Sequence, residues 1–186
     1  AEAVKRLDKM IARSVISRDE LLYRGFGSKT QLSVGKVLSE YGFFSASRNE
    51  AIGRSFAFSS DNPYKYLVRV NVPKGYHALD VNATLLERSV YPNEKEILLG
   101  RKRNYIIKSM GKPDEYGIVP VEASLLDDDG TELADTSTRV ITAEEIEAAD
   151  KLLGVEDDSL PDAETLAKIH EKMKSYNDNV TIRDSK

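Results

Sequence analysis

Cysteine is absent from the chain, and so is tryptophan. Without thiols there is no disulfide, no thiolate metal ligand and no cysteine nucleophile. Histidine is almost as scarce: His77 and His170 lie far apart and match no metal-ligand spacing, so both read as surface or structural residues and no metal is expected. No apolar run approaches the roughly eighteen residues of a membrane-spanning helix, so no membrane role is expected. Glycine-rich phosphate loops of the P-loop or Rossmann kind are missing too, and a dinucleotide, if bound, would need another fold.

What is present is a core-forming composition with an uneven charge. Hydrophobic residues make up 40% of the 186, enough for one domain or for a domain with an appendage. Residues 1–126 hold 20 Lys or Arg against 14 Asp or Glu, a net +6; residues 127–186 hold 7 against 17, a net −10. A basic face suits an anionic ligand or an acidic protein surface. The N-terminal segment is charged and amphipathic, with Val4, Leu7 and Ile11 on one side and no long apolar centre, so no cleavable signal is expected within the chain. A start at Ala1 is what a processed or excised chain would show.

Apolar spacing predicts a helix over residues 1–17, and then short strands. Tyr64 to Val72 alternates with aromatic and β-branched residues and is the clearest of them. Further strands are expected at Phe43–Ser47, Ala78–Val81, Ile97–Leu99, Tyr105–Ser109 and Gly117–Leu126. Between them Ser59-Ser60-Asp61-Asn62-Pro63 is a dense turn signal. Without regular strand-helix alternation this pattern reads as α+β, with a mixed or antiparallel sheet. Beyond residue 126 a capping box at Thr142–Glu145 and a proline at 161 open two helices. The division expected is therefore 1–126 as a catalytic domain and 127–186 as an acidic helical extension that docks on the catalytic face, binds a partner or is partly disordered.

Three short stretches carry chemistry. Tyr91-Pro92-Asn93-Glu94-Lys95-Glu96-Ile97-Leu98-Leu99 places two carboxylates at i and i+2 of an extended segment, on one face with Leu98, while Ile97 and Leu99 face the other way. Like charges so close cost energy unless a cation or a reacting centre uses them. Leu21-Leu22-Tyr23-Arg24-Gly25 is an apolar run that ends in an arginine before a glycine, so Arg24 is expected at a strand end facing a cleft. Gly42-Phe43-Phe44-Ser45-Ala46-Ser47 sets two hydroxyls on one strand face, and Arg48 to Ala57 reads as a short helix with Ala51, Ile52 and Phe56 inward.

Arg, Ser-x-Ser and Glu-x-Glu, in that order and with these neighbours, resemble the signature of the arginine-type mono-ADP-ribosyltransferases, a family of bacterial toxins, effectors and bacteriophage modifying enzymes. The main departure is Ala46, where the family usually has threonine. The resemblance implies two packed sheets, a mixed β-sandwich with flanking helices, and NAD as a substrate in the cleft between them. It assigns Glu96 to stabilising the sugar cation, Ser45 to holding Glu96, Arg24 to an NAD phosphate, and Glu94 to the acceptor guanidinium. Gly25 and Ser47 join the NAD-binding set, as do Arg54 for a phosphate and Phe56 near nicotinamide, although Phe56 reads first as core. Tyr91 would stack on the incoming arginine.

The function so implied is transfer of ADP-ribose from NAD to an arginine of a target protein, in the cytoplasm of a target or host cell. Two other readings stand beside it. An NAD glycohydrolase would use the same cation with water as acceptor, and a non-catalytic interaction or virion module would keep the fold alone. Nucleic acid is not expected as a partner, because the basic residues lack aromatic interleaving.

Overall fold

The computed structural model describes residues 2–40, 43–80, 96–127, 129–133 and 180–184. Helix α1 (Glu2–Arg13) is followed by strands β1 (Glu20–Ser28), β2 (Val37–Glu40) and β3 (Phe43–Ser47), then helix α2 (Glu50–Phe58). Strands β4 (Tyr64–Val72), β5 (Ala78–Asp80), β6 (Glu96–Arg101), β7 (Asn104–Met110), β8 (Ile118–Leu125) and β9 (Val180–Arg183) complete the order. They form one nine-stranded sheet, β5-β6-β3-β1-β4-β8-β7-β2-β9. Every pairing is antiparallel except β4 with β8.

The sheet doubles back on itself. Phe44 of β3 meets Tyr105 of β7 edge-on, with ring centroids 5.3 Å apart, although three strands separate β3 from β7 in the ladder. The two layers expected from the sequence are thus two arms of one hydrogen-bonded sheet. Between them lies an apolar cluster with Leu22 and Phe26 of β1, Phe44 and Ala46 of β3, Ile97 and Leu99 of β6, and Tyr105 and Ile107 of β7. This inner face takes the even-numbered residues of β1 and β3 and the odd-numbered ones of β6, as strand alternation requires.

The outer face carries the helices. α1 packs on β5 and β6, and its Leu7 and Ile11 are buried, as are Leu79 and Leu98 of those strands. α2 packs on β1 and β4. Its buried residues are Gly53 and Ala57, whereas Ala51 is exposed and Ile52 and Phe56 are half-buried, so the inward face differs from the one expected. The cause is a close approach: a Cβ on Gly25 would lie 1.7 Å from the Gly53 carbonyl oxygen. Only small residues fit there. For the same reason Gly25 does not end β1, which runs on to Ser28 with Gly25 paired to Leu67 of β4.

The sequence division at residue 126 is not a boundary of the sheet. β9 returns to pair with β2, Val37 opposite Arg183 and Glu40 opposite Val180, and Val180 and Ile182 pack on the core. The two helices expected after residue 141 lie outside the described residues. Among the described residues no helix is long and apolar enough to cross a membrane.

Candidate active site

Register brings two of the three motifs together. β3 and β6 pair with Ser47 opposite Glu96, Ala46 opposite Ile97 and Ser45 opposite Leu98. Partners directly opposite share a face, so Ser45, Ser47 and the Glu96 position lie on the outer face, away from the apolar cluster. Ser47 is the direct neighbour of Glu96 and Ser45 the diagonal one, a separation that a long side chain can span. Ser45 is half-exposed and Ser47 buried. The Ser47 hydroxyl accepts the Asn49 N–H at 3.0 Å, and Asn49 Oδ1 accepts the Ala51 N–H at 2.9 Å, which caps α2. The serine strand and its helix are thereby locked to each other.

The row continues across the sheet. Ser47 pairs with Tyr23 of β1, Tyr23 with Arg69 of β4, Arg69 with Glu122 of β8, and Glu122 with Ser109 of β7. Glu96, Ser47, Tyr23, Arg69, Glu122 and Ser109 thus form one polar line over six strands of the outer face. At its far end Arg69 and Glu122 make an ion pair, and Ser109 Oγ donates to Glu122 at 3.2 Å. Small-ligand clefts commonly enclose about 300–1,000 Å³; the open cavity here, about 380 Å³, is lined in part by Tyr23, Glu50, Arg69, Ser109 and Glu122.

Arg24 takes the other face, which corrects the expectation of an arginine at a strand end facing a cleft. It lies in mid-strand and is 3% exposed, as is Glu40 of β2. Its Nε donates to Glu40 Oε1 at 3.1 Å, Nη2 to Oε2 at 3.2 Å, and Nη1 to the Gly25 carbonyl at 2.9 Å. Tyr105, 0% exposed, donates its hydroxyl to Glu40 Oε1 at 2.9 Å. Burial and the adjacent Glu40 carboxylate push the Tyr105 hydroxyl well above its ordinary pKa, so it stays a donor. Parity explains the placement: Arg24 alternates with Tyr23 and Gly25, and the latter two face α2.

A second ion cluster ties strand ends. Arg48 donates from Nη1 to Asp80 at 2.7 Å and from Nη2 to Glu20 at 2.8 Å, and Arg18 adds a bond to Glu20 at 3.1 Å. Burial alone would raise the Glu20 pKa, yet the hydrogen bonds from Arg48 and Arg18 outweigh it and hold the carboxyl below its usual value. Arg54 is bonded to Asp114 and, at 3.4 Å, to Glu50, so it is fixed along α2 and to the loop before β8. Tyr91 and Glu94 lie outside the described residues, and of Glu96 only the strand position is described. The motifs passed over Glu40, whose one sequence signal is a carboxylate closing the run Val37-Leu38-Ser39-Glu40, and treated Tyr23 merely as a neighbour of Arg24.

A family model, ADP-ribosyltransferase exoenzyme, matches residues 1–141. The chain belongs to that family, whose members are NAD-dependent transferases of ADP-ribose. Solved structures share the fold at low identity. C3stau2 from S. aureus, solved with NAD, has a TM-score of 0.53 and 19% identity over 68% of this chain and 71% of its own. Plx2a, an ADP-ribosyltransferase toxin from Paenibacillus larvae, gives 0.52 and 22% over 67% and 69%. The Clostridium limosum C3 exoenzyme gives 0.52 and 21%, over 67% of each chain. No curated protein matches the chain.

Proposed function

We propose that this chain is a mono-ADP-ribosyltransferase that moves ADP-ribose from NAD to an arginine of a target protein and releases nicotinamide. The observation that carries the reading is the register of Ser47 opposite Glu96 within a chain of this family. Breaking the nicotinamide-ribose bond builds positive charge on the sugar, as in glycoside chemistry. A carboxylate at residue 96 stabilises that charge more in the transition state than in the ground state, which is the source of rate. Ser45, diagonal to it, is suited to hold the carboxylate, while the Ser47 hydroxyl is committed to the turn into α2. Glu94 is assigned to orienting the acceptor guanidinium and taking its proton, and Tyr91 to stacking on that guanidinium; a second carboxylate two residues before the first is the reason arginine is proposed as acceptor.

The test is incubation of the chain with labelled NAD and bacterial or eukaryotic lysate, followed by mass spectrometry of the modified residue. Label on arginine, lost in Glu96→Gln, supports the reading. Free ADP-ribose without labelled protein would assign the NAD glycohydrolase activity instead, and label on another residue type would sink the acceptor assignment.

A further inference from the structure

Among the described residues, Arg24, Glu40 and Tyr105 form a buried charged cluster in the apolar interior between the two arms. β1 belongs to the arm that carries the Ser47–Glu96 pair, whereas β2 and β7 belong to the other. Both oxygens of Glu40 are used, by a two-pronged guanidinium and a phenol. Such an arrangement is costly to desolvate and specific in geometry, and replacing buried ion pairs by apolar residues of similar volume is often neutral or stabilising. A packing role alone therefore does not account for it. Its position does: the residue before Arg24 on the same strand is Tyr23, which stands in the outer row directly opposite Ser47. Glu40 is itself held from two sides, its backbone N–H bonding the Arg103 carbonyl at 2.9 Å and its strand pairing with β9.

We infer that Glu40 is a positioning residue that, through Arg24, fixes strand β1 and thereby the Tyr23–Ser47–Glu96 row on the opposite face. Arg24 then acts on the reaction from beneath the sheet and not by touching an NAD phosphate. This inference rests on the reading of that row as the site of NAD chemistry. It separates two kinetic outcomes: loss of positioning lowers kcat and leaves KM for NAD, whereas loss of a direct phosphate contact raises KM.

The test compares the full chain with Tyr105→Phe and with the double variant Arg24→Met, Glu40→Leu, which leaves no buried charge unpaired. For each, kcat and KM for NAD cleavage are measured, together with amide hydrogen exchange at Tyr23 and Ser47. The double variant is expected to fold, to lose about tenfold in kcat with KM within about twofold of the parent, and to exchange the Tyr23 and Ser47 amides about tenfold faster. Tyr105→Phe should move the same readings in the same direction by less, and it decides the matter if the double variant does not fold. Parental kcat with parental amide protection overturns the inference, and so does a KM that rises as kcat falls. A parent chain that cleaves no NAD would end the functional reading, while the exchange rates would still decide whether the buried group holds the row.

Discussion

On the inner face of the sheet Arg24 and Glu40 are each 3% exposed and meet inside an apolar cluster, whereas on the outer face the Arg69 and Glu122 side chains of the corresponding pair are 46% and 53% exposed. Both pairs join strands of the same sheet. The inner one trades hydration for fixed geometry, so removing either partner strands a charge. The outer one keeps its water, and a surface pair of that kind adds little to stability. In the reading proposed above, chemistry that must meet a ligand belongs to the outer row, and the rigidity behind it to the inner pair.

The strongest way to break this comparison is Glu40→Leu alone, which leaves the Arg24 cation buried and unpaired. A loss of about 3–5 kcal/mol in denaturant titration is expected, with most of it recovered when Arg24→Met is added. Equal stability of the single and double variants would show that the inner pair is not energetically coupled. On the outer face, Glu96→Gln should lower NAD cleavage at least about a hundredfold while the fold and melting temperature stay, since one preorganised charge is removed from the transition state. Near-parental turnover would remove Glu96 from the mechanism.

Glu94→Gln sharpens the distinction within the proposed chemistry. Transfer to arginine should fall about a hundredfold relative to NAD hydrolysis, as expected for loss of a general base used only with the acceptor. Equal loss of both would place Glu94 in the ribose chemistry.

Smaller again is an effect of acid at Glu20. Its pKa is lowered in the folded state, so its stabilising contribution is present above the ordinary glutamate value of 4.5 and is lost as pH falls below that value toward the folded pKa. Glu20→Gln should therefore lower stability near neutrality and flatten the acid limb of a stability-against-pH curve, so that variant and parent converge in acid; an unchanged acid limb would show that Arg48 and Arg18 do not hold that carboxylate. Least of all, Glu122→Gln should change stability by less than about 1 kcal/mol in the same titration.

Alternation made the β3 and β6 faces legible: Ile97 and Leu99 inward, with position 96 on the other face, follow from the residues alone, as do β4 and the α+β class. Arg24 was not legible in that way, because β1 is covered on both faces and a glycine after the arginine reads as a turn. That glycine is there for α2, a tertiary contact that no local pattern announces. Inward positions on α2 were misread for the same reason, since Gly53 and Ala57 face the sheet in place of Ile52 and Phe56. Glu40 and β2 escaped because a four-residue run ending in glutamate looks like a solvent-facing strand until its neighbours, β7 and β9, are known. β9 itself is only Val180-Thr181-Ile182-Arg183, too short to stand out after a long acidic segment.

The return of β9 sets a condition on the order in which the chain acquires its structure. Strand β2 cannot complete its ladder until residues 180–183 reach it, and the parallel β4–β8 pair likewise needs three intervening strands first. Contacts of such long sequence separation slow the search for the native state, because loop closure must precede any gain from pairing. During synthesis the β2 edge, which ends at the carboxylate that grips Arg24, stands open until β9 is added, and an open edge is where a nascent chain is captured by the wrong partner. Strand β9 is in that sense the one that closes the door on misassembly.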